Sequence, residues 1–137
     1  MADQPKTRPT DVDVTDYIAR VQPERRRSEA VLLVDLMSAE TGERPVLWGP
    51  SMIGFGHHRM TYASGRTVES FRVGFAPRKA QTVVYVGGGF DLYQDLLPRL
   101  GRHSTGKACL YLRDVAAADQ DALRDLVRRS YAWEPAA

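Results

Sequence analysis

The sequence predicts an α+β domain, in which helices pack on one face of a largely antiparallel four-stranded sheet. Two segments with helical spacing of apolar residues open the chain, and alternating segments separated by Gly and Pro follow after Pro45. A further helical segment closes the chain. Because the links between the first three strands are short, those strands are expected to pair antiparallel. The predicted order of elements is ααβββαβα.

The composition is that of one globular domain. The chain has 137 residues, of which 43% are apolar and 26% are charged, and these values are ordinary for a folded protein. We predict a single domain over residues 10–132, a mobile N-terminal tail over 1–9 and a C-terminal tail over 133–137. The single cysteine provides no disulfide framework, and the polar first residues do not resemble a signal peptide, so we expect a cytoplasmic location.

Charge and hydropathy narrow the classes of partner. The sequence contains no run of about 18 apolar residues, so we predict no membrane partner. The net charge of +2 is too small to indicate a nucleic acid. Between residues 57 and 107, however, eight Lys and Arg residues accompany three acidic residues. This basic middle segment indicates either a solvated surface of mixed charge or a shallow anion-binding surface.

Two helices are predicted before Pro45. The apolar residues of segment 14–21 recur at spacings of three and four, and Asp13 is placed to cap this first helix. A second helix is predicted over residues 23–41, with Gly42 as its C-terminal stop. Its wide apolar band is typical of a deeply packed helix. The three arginines at its start indicate either a phosphate clamp or a solvated helix end: Arg25, Arg26 and Arg27.

Strands dominate the middle of the chain. We predict strands over segments 52–62, 68–75, 82–86 and 107–112, a short helix over about 90–100 and a last helix over 119–131. In the second strand, alternation places Phe71, Val73 and Phe75 on the core face and Arg72 on the other. Leu33, Phe71, Val84 and Leu110 are expected to be buried.

Two glycine-rich segments resemble phosphate-binding loops without fulfilling their requirements. Segment 101–108 nearly matches the P-loop pattern, but Ala108 replaces the Ser or Thr that ligates magnesium, and the order of strand and helix is reversed. Gly87-Gly88-Gly89 stands between a strand and a helix but lacks the third glycine of the dinucleotide fingerprint. We interpret it as a tight turn, with a helix-terminus anion site as the alternative. His57 and His58 are adjacent and point to opposite faces of a strand, so we predict no metal site.

One group of side chains is predicted to form a functional surface on the sheet face opposite the helices. An arginine and two tyrosines suit recognition of a small anion, or a contact between two copies of the chain; an open sheet face without a function is the alternative. Basic residues near the strand ends would strengthen the field. The candidate ligand-binding residues are Arg72, Tyr85, Tyr111, His58, Arg78, Lys79 and Lys107.

Five motifs follow one another along the chain: Trp48-Gly49-Pro50-Ser51, Gly54-Phe55-Gly56, Tyr62-Ala63-Ser64-Gly65-Arg66, Gly74-Phe75-Ala76-Pro77-Arg78-Lys79 and the segment 100–111. In order and spacing they resemble the YdhG-like family, a domain of unknown function, over about residues 9–131. The resemblance implies a compact bacterial α+β domain. Some members are described as frataxin-like iron chaperones, so the resemblance makes iron a candidate ligand. Asp11, Asp13 and Asp16 form the acidic cluster that would hold it.

No pair of residues in the sequence has the pattern of an acid with a base, or of a nucleophile with a base, so we predict a protein that is not an enzyme and has no cofactor. The favoured function is a binding protein for a small anionic ligand or for a partner. The alternative, which follows from the resemblance, is an intracellular iron chaperone of the frataxin-like type.

Overall fold

The computed structural model describes residues 8–61 and 63–134. Three α-helices are present in this part of the chain: α1 (Val14–Ala19), α2 (Glu24–Thr41) and α3 (Gln120–Ala132). Two short 3₁₀ helices occupy Phe90–Tyr93 and Leu97–Arg99. The strands are β1 (Val46–Trp48), β2 (Met52–Phe55), β3 (His58–Thr61), β4 (Thr67–Ser70), β5 (Val73–Pro77), β6 (Thr82–Tyr85), β7 (Ser104–Thr105) and β8 (Cys109–Leu112).

Six strands form the main sheet in the order β1-β2-β5-β6-β8-β7, and every neighbouring pair is antiparallel. β3 and β4 form a separate two-stranded hairpin. The predicted α+β class and antiparallel pairing are therefore confirmed. The predicted number of four strands is wrong, since the main sheet has six.

The additional strands arise where the sequence pattern is short or interrupted. β1 and β7 have only three and two residues, too few to show alternation. The predicted strand 52–62 divides at Gly56, whose φ of +74° turns the chain from β2 towards β3. The predicted strand 68–75 divides at Phe71 and Arg72, between β4 and β5. The predicted helix over 90–100 consists of the two 3₁₀ helices, with Pro98 inside the second.

The core lies between the helices and one face of the main sheet. Paired positions in neighbouring strands build one row of it: Ile53 lies opposite Phe75, Phe75 opposite Val84, and Val84 opposite Leu110. All four side chains are fully buried, and they belong to the same cluster as Leu33 of α2 and the apolar residues of α3. The predicted burial of Leu33, Phe71, Val84 and Leu110 is confirmed.

Phe71 is buried on the opposite face of the sheet from the one predicted. Its ring lies over the glycines of two paired strands, where a Cβ added to Gly54 or Gly74 would come within 2.6 or 2.8 Å of it. It also contacts the rings of Trp48 and Tyr85, with centroids 5.7 and 6.0 Å away. The alternation fails because Phe71 and Arg72 lie between β4 and β5 and belong to neither strand. At this point the N–H of Arg72 donates to the carbonyl of Phe55.

The three arginines at the start of α2 occupy three different environments. Arg26 is buried and pairs with the buried carboxylate of Glu29, while its Nη2 donates to the carbonyl of Arg113 at 2.9 Å. Glu29 also accepts hydrogen bonds from the Thr82 hydroxyl and from the backbone N–H of Val115. Arg25 is exposed and pairs with Asp114, and Arg27 donates to the carbonyl of Val21. Arg26 therefore joins α2 to the sheet and does not form part of a phosphate clamp.

The expected tails, 1–9 and 133–137, each include residues that contact the fold: Arg8, Pro9, Trp133 and Glu134. Residues 1–7 and 135–137 lie outside the described residues. Arg8 accepts a hydrogen bond from Gly49, Pro9 forms a bridge with Trp48, and Thr10 donates to Leu47, so these residues lie along β1. Trp133 and Glu134 contact Arg72. No helix in the described residues is long and apolar enough to cross a membrane.

Replacing Gly54 with Ala should lower the free energy of unfolding by about 1–3 kcal/mol, because the new methyl group meets the Phe71 ring in a packed layer. Urea unfolding followed by circular dichroism measures the change. Gly106→Ala is the matched control: its Cβ would come no closer than 3.3 Å, to the far end of the Tyr111 side chain. Equal stability of the two variants would contradict the packing of Phe71 on Gly54.

Replacing Arg26 with Met should destabilise the protein by about 3–5 kcal/mol, because the carboxylate of Glu29 is then left buried without its cation. Thermal and urea unfolding measure the loss. Arg25→Met removes the exposed ion pair with Asp114 and a longer contact of 3.9 Å with Glu29, which keeps its closer partner Arg26, so it should cost less than about 1 kcal/mol. If both substitutions cost the same, the Arg26–Glu29 pair has no special structural role.

Candidate functional site

A cavity of about 430 Å³ opens between the turn that follows β6 and the C-terminal end of α3. We call it the aromatic pocket, because four rings line it: His58, Phe71, Tyr85 and Trp133. Val86 and Ala108 add apolar surface, Gly87–Gly89 form one wall, and Arg72 and Lys107 bring positive charge to its boundary. Its size lies within the usual range of about 300–1,000 Å³ for small-molecule sites.

The three consecutive glycines allow the indole of Trp133 to lie directly on the backbone. A Cβ at Gly87 would come within 2.6 Å of the indole ring, and one at Gly88 within 2.7 Å of its Nε1. Gly88 and Gly89 have φ values of +80° and +88°, which L side chains rarely adopt. The triplet is thus a tight turn, as interpreted from the sequence, and it also provides the surface on which Trp133 packs.

Three partly buried hydrogen bonds hold this turn in place. The N–H of Gly87 donates to the hydroxyl of Ser130 at 2.9 Å, and that hydroxyl donates to the carbonyl of Arg72 at 2.7 Å. The hydroxyl of Tyr93 donates to the carbonyl of Gly87 at 2.7 Å. Ser130 is fully buried in α3, so one helix fixes both the glycine turn and the start of β5.

Arg72 fastens the C-terminal end of α3 to the sheet. Its Nε donates to the carbonyl of His57, and its Nη1 donates to the carbonyls of Tyr131 and Trp133, all at 3.0–3.1 Å. Its Nη2 forms an ion pair with Glu134 at 2.7 Å. The guanidinium also lies 5.8 Å from the centre of the Tyr131 ring. Four of its five donors are therefore engaged within the protein.

His58 supplies a buried polar atom to the wall of the pocket. The residue is only 8% exposed, and its Nδ1 has no hydrogen-bond partner in the part of the chain that the structure describes. Its ring meets Trp133 edge-on at 5.7 Å. Burial lowers the pKa of His58 below its usual value, and the positive charges of Arg72 and His57 lower it further against the opposing effect of Glu134. This shift favours the neutral form of the imidazole.

Hydrogen-bond donors and one positive charge are also available at the pocket. Within residues 8–61 and 63–134, the backbone N–H groups of Gly88 and Gly89 have no acceptor, and the ammonium of Lys107 has no acidic partner. Lys107 is exposed, but its backbone is fixed because its carbonyl accepts the N–H of Phe90 at 3.0 Å. These groups suit an anionic or electronegative group at the pocket mouth.

The structure brings four of the seven predicted site residues together: His58, Arg72, Tyr85 and Lys107 all line the aromatic pocket. The other three do not line it. Arg78 donates to the hydroxyl of Ser51 at 2.7 Å, Lys79 is exposed in the turn after β5, and Tyr111 lines a different recess.

Trp133 was not predicted as a site residue, because it lies beyond the last residue with helical spacing. Three consecutive glycines indicate that another group can pack closely on the backbone of residues 87–89. Nothing in the sequence shows that this group is the indole of Trp133.

No group of three or more His, Cys, Asp or Glu side chains with metal-binding geometry occurs among the described residues. In the acidic cluster proposed for iron, Asp13 caps α1 as predicted, since its carboxylate accepts the N–H of Asp16 at 3.1 Å. The carboxylates of Asp11, Asp13 and Asp16 therefore do not form such a group.

No family model, curated protein or solved structure matches this chain. The similarity to the YdhG-like family and the location in the cytoplasm stay predictions. Self-association through the outer sheet face is likewise a prediction.

Replacing Arg72 with Met should release Trp133 from the glycine turn, because the hydrogen bonds to the C-terminal carbonyls and the ion pair with Glu134 are lost. Hydrogen exchange measured by NMR should accelerate at the indole N–H of Trp133 at least about tenfold, the result of losing about 1.4 kcal/mol of local stability. The indole of Trp48, which is buried at the other side of Phe71, is an internal control. Unchanged exchange at Trp133 would contradict the fastening role of Arg72.

Proposed function

We propose that the protein is a non-enzymatic binding protein whose aromatic pocket takes a small, flat molecule that carries an anionic group. The observation that carries this proposal is a largely apolar cavity lined by four rings, together with the ammonium of Lys107 in its lining, which has no acidic partner in the described ranges.

The shape of the ligand follows from the surfaces around the cavity. Phe71, Tyr85 and Trp133 present flat, weakly polar rings, and the indole of Trp133 is itself supported by the backbone of the glycine turn. Aromatic side chains favour planar partners, either stacked or edge-on. A planar ring system therefore suits this pocket better than a branched aliphatic chain.

The charge of the ligand follows from Lys107. Glu134 and three backbone carbonyls already engage the guanidinium of Arg72, so that residue positions the wall formed by Trp133. Lys107 has no acidic partner in the described ranges, and it lines the same pocket as Gly88 and Gly89, whose N–H groups have no acceptor there. This arrangement supports an anionic group at the mouth of the pocket, with the ring system inside.

The proposal is tested with 2-naphthoate and its neutral isostere 2-naphthamide, titrated into the protein and followed by NMR at the indole of Trp133. Naphthoate should bind more tightly than the amide. Lys107→Ala should weaken naphthoate about tenfold and leave the amide unchanged, because a hydrogen bond to a charged group contributes about 1.5–3 kcal/mol.

Lys79→Ala is the matched control, since it removes the same charge outside the pocket and should leave both affinities unchanged. Ala108→Leu should weaken both compounds by filling the cavity. The proposal fails if neither compound binds saturably below about millimolar concentration, or if Lys79→Ala and Lys107→Ala have equal effects.

A further inference from the structure

A second recess combines several positively charged side chains outside the aromatic pocket. Two adjoining cavities of about 390 and 290 Å³ share Arg102, from the loop before β7, and Arg113, which directly follows β8. We call them together the basic cleft. Arg25 lines the first cavity, and His103 and Ser104 line the second.

Two of the guanidinium charges in this cleft are not neutralised within the described part of the chain. Asp114 is the acidic residue in its lining, and it pairs with Arg25 at 3.1 Å. Arg25 also lies 3.9 Å from the carboxylate of Glu29. Arg102 and Arg113, by contrast, have no acidic partner in the described ranges. The cleft therefore carries excess positive charge where the two cavities meet.

The backbone on both sides of the cleft is held in place. The carbonyl of Arg113 accepts a hydrogen bond from the buried guanidinium of Arg26, which itself pairs with Glu29. On the opposite side, Nδ1 of His103 lies 2.7 Å from the carbonyl of Gly101. A carbonyl can only accept, so Nδ1 carries the proton in this contact and Nε2 remains for another partner. The arginine side chains thus extend from positions that are already ordered.

Neutral hydrogen-bonding groups complete the lining. Ser104 and Tyr111 contribute hydroxyls, and Gln81 contributes an amide, in the cavity that contains both arginines. Guanidinium groups bind phosphate oxygens with two parallel hydrogen bonds, and hydroxyls can satisfy the remaining oxygens. A tetrahedral dianion uses such a set more fully than a planar carboxylate does.

We propose that the basic cleft binds a phosphate group, either as inorganic phosphate or as the phosphate of a small phosphorylated molecule. This site is independent of the aromatic pocket. The proposal also gives a role to segment 101–108, which nearly matches the P-loop pattern. In this segment side chains, and not backbone amides, would donate to the phosphate. Arg102, His103 and Ser104 line the cleft, whereas Lys107 lines the aromatic pocket.

Calorimetric titration at constant ionic strength, with inorganic phosphate in one series and phenyl phosphate in another, tests the proposal. Saturable binding of at least one of them is expected. Arg102→Gln and Arg113→Gln should each weaken it about tenfold or more, since each removes charge-assisted hydrogen bonds. Arg113→Lys keeps the charge but loses the paired donors, so it should lie between Arg113→Gln and the unaltered protein.

Arg66→Gln is the matched control, because it removes one exposed arginine outside the cleft and should leave the affinity unchanged. Each variant is compared with the unaltered protein by thermal unfolding, so that lost binding is not confused with lost folding. Tighter binding of phenyl phosphate indicates a phosphorylated molecule as the ligand, and tighter binding of inorganic phosphate indicates the free ion. The proposal is overturned if neither compound binds saturably, or if Arg66→Gln weakens binding as much as Arg113→Gln.

Discussion

The attachment of the C-terminal end of α3 through Arg72 is the contact on which the candidate site depends. One side chain engages the carbonyls of residues far apart in the sequence, His57 and Trp133, and an ion pair with Glu134 balances its charge. Without that attachment, Trp133 would lose its position on the glycine turn, and the aromatic pocket would lose a wall. The sequence predicts that Arg72 binds an anion on an open sheet face. In the structure its donors are engaged within the protein, and it positions the wall of the pocket instead.

Close approach of aromatic rings to glycine backbone occurs twice around this pocket. Phe71 lies on Gly54 and Gly74 of the sheet, and Trp133 lies on Gly87 and Gly88 of the turn after β6. In both places a single methyl group would displace a ring, so packing requires all four glycines, and the positive φ of Gly88 also favours glycine there. The pocket lies between these two ring contacts, with Tyr85 and His58 completing it.

The two proposed sites are arranged around the same strand. Lys107, at the aromatic pocket, precedes β8, and Arg113, at the basic cleft, follows it. The buried pair of Arg26 and Glu29 holds the second of these ends, because Arg26 binds the carbonyl of Arg113 and Glu29 binds the N–H of Val115. A buried ion pair contributes little net stability, but here it fixes the backbone beside an excess of positive charge.

Local sequence determined the α+β class, the antiparallel pairing and the core residues Leu33, Val84 and Leu110. The spacing of apolar residues within a short segment shows whether it is a helix or a strand and which face turns inward, and short links between strands favour antiparallel pairing. It also indicated four residues of the pocket: Arg72 and Tyr85 through residue type and strand parity, His58 as a possible neighbour on the same face, and Lys107 through its charge near a strand end. Tertiary structure decided what those residues do. Alternation could not reveal the break at Phe71 that reverses its face, nor the distant carbonyls that occupy Arg72. Trp133 belongs to the pocket only because the end of α3 packs against a turn more than 40 residues earlier in the chain. No local sequence pattern encodes such a contact between distant segments.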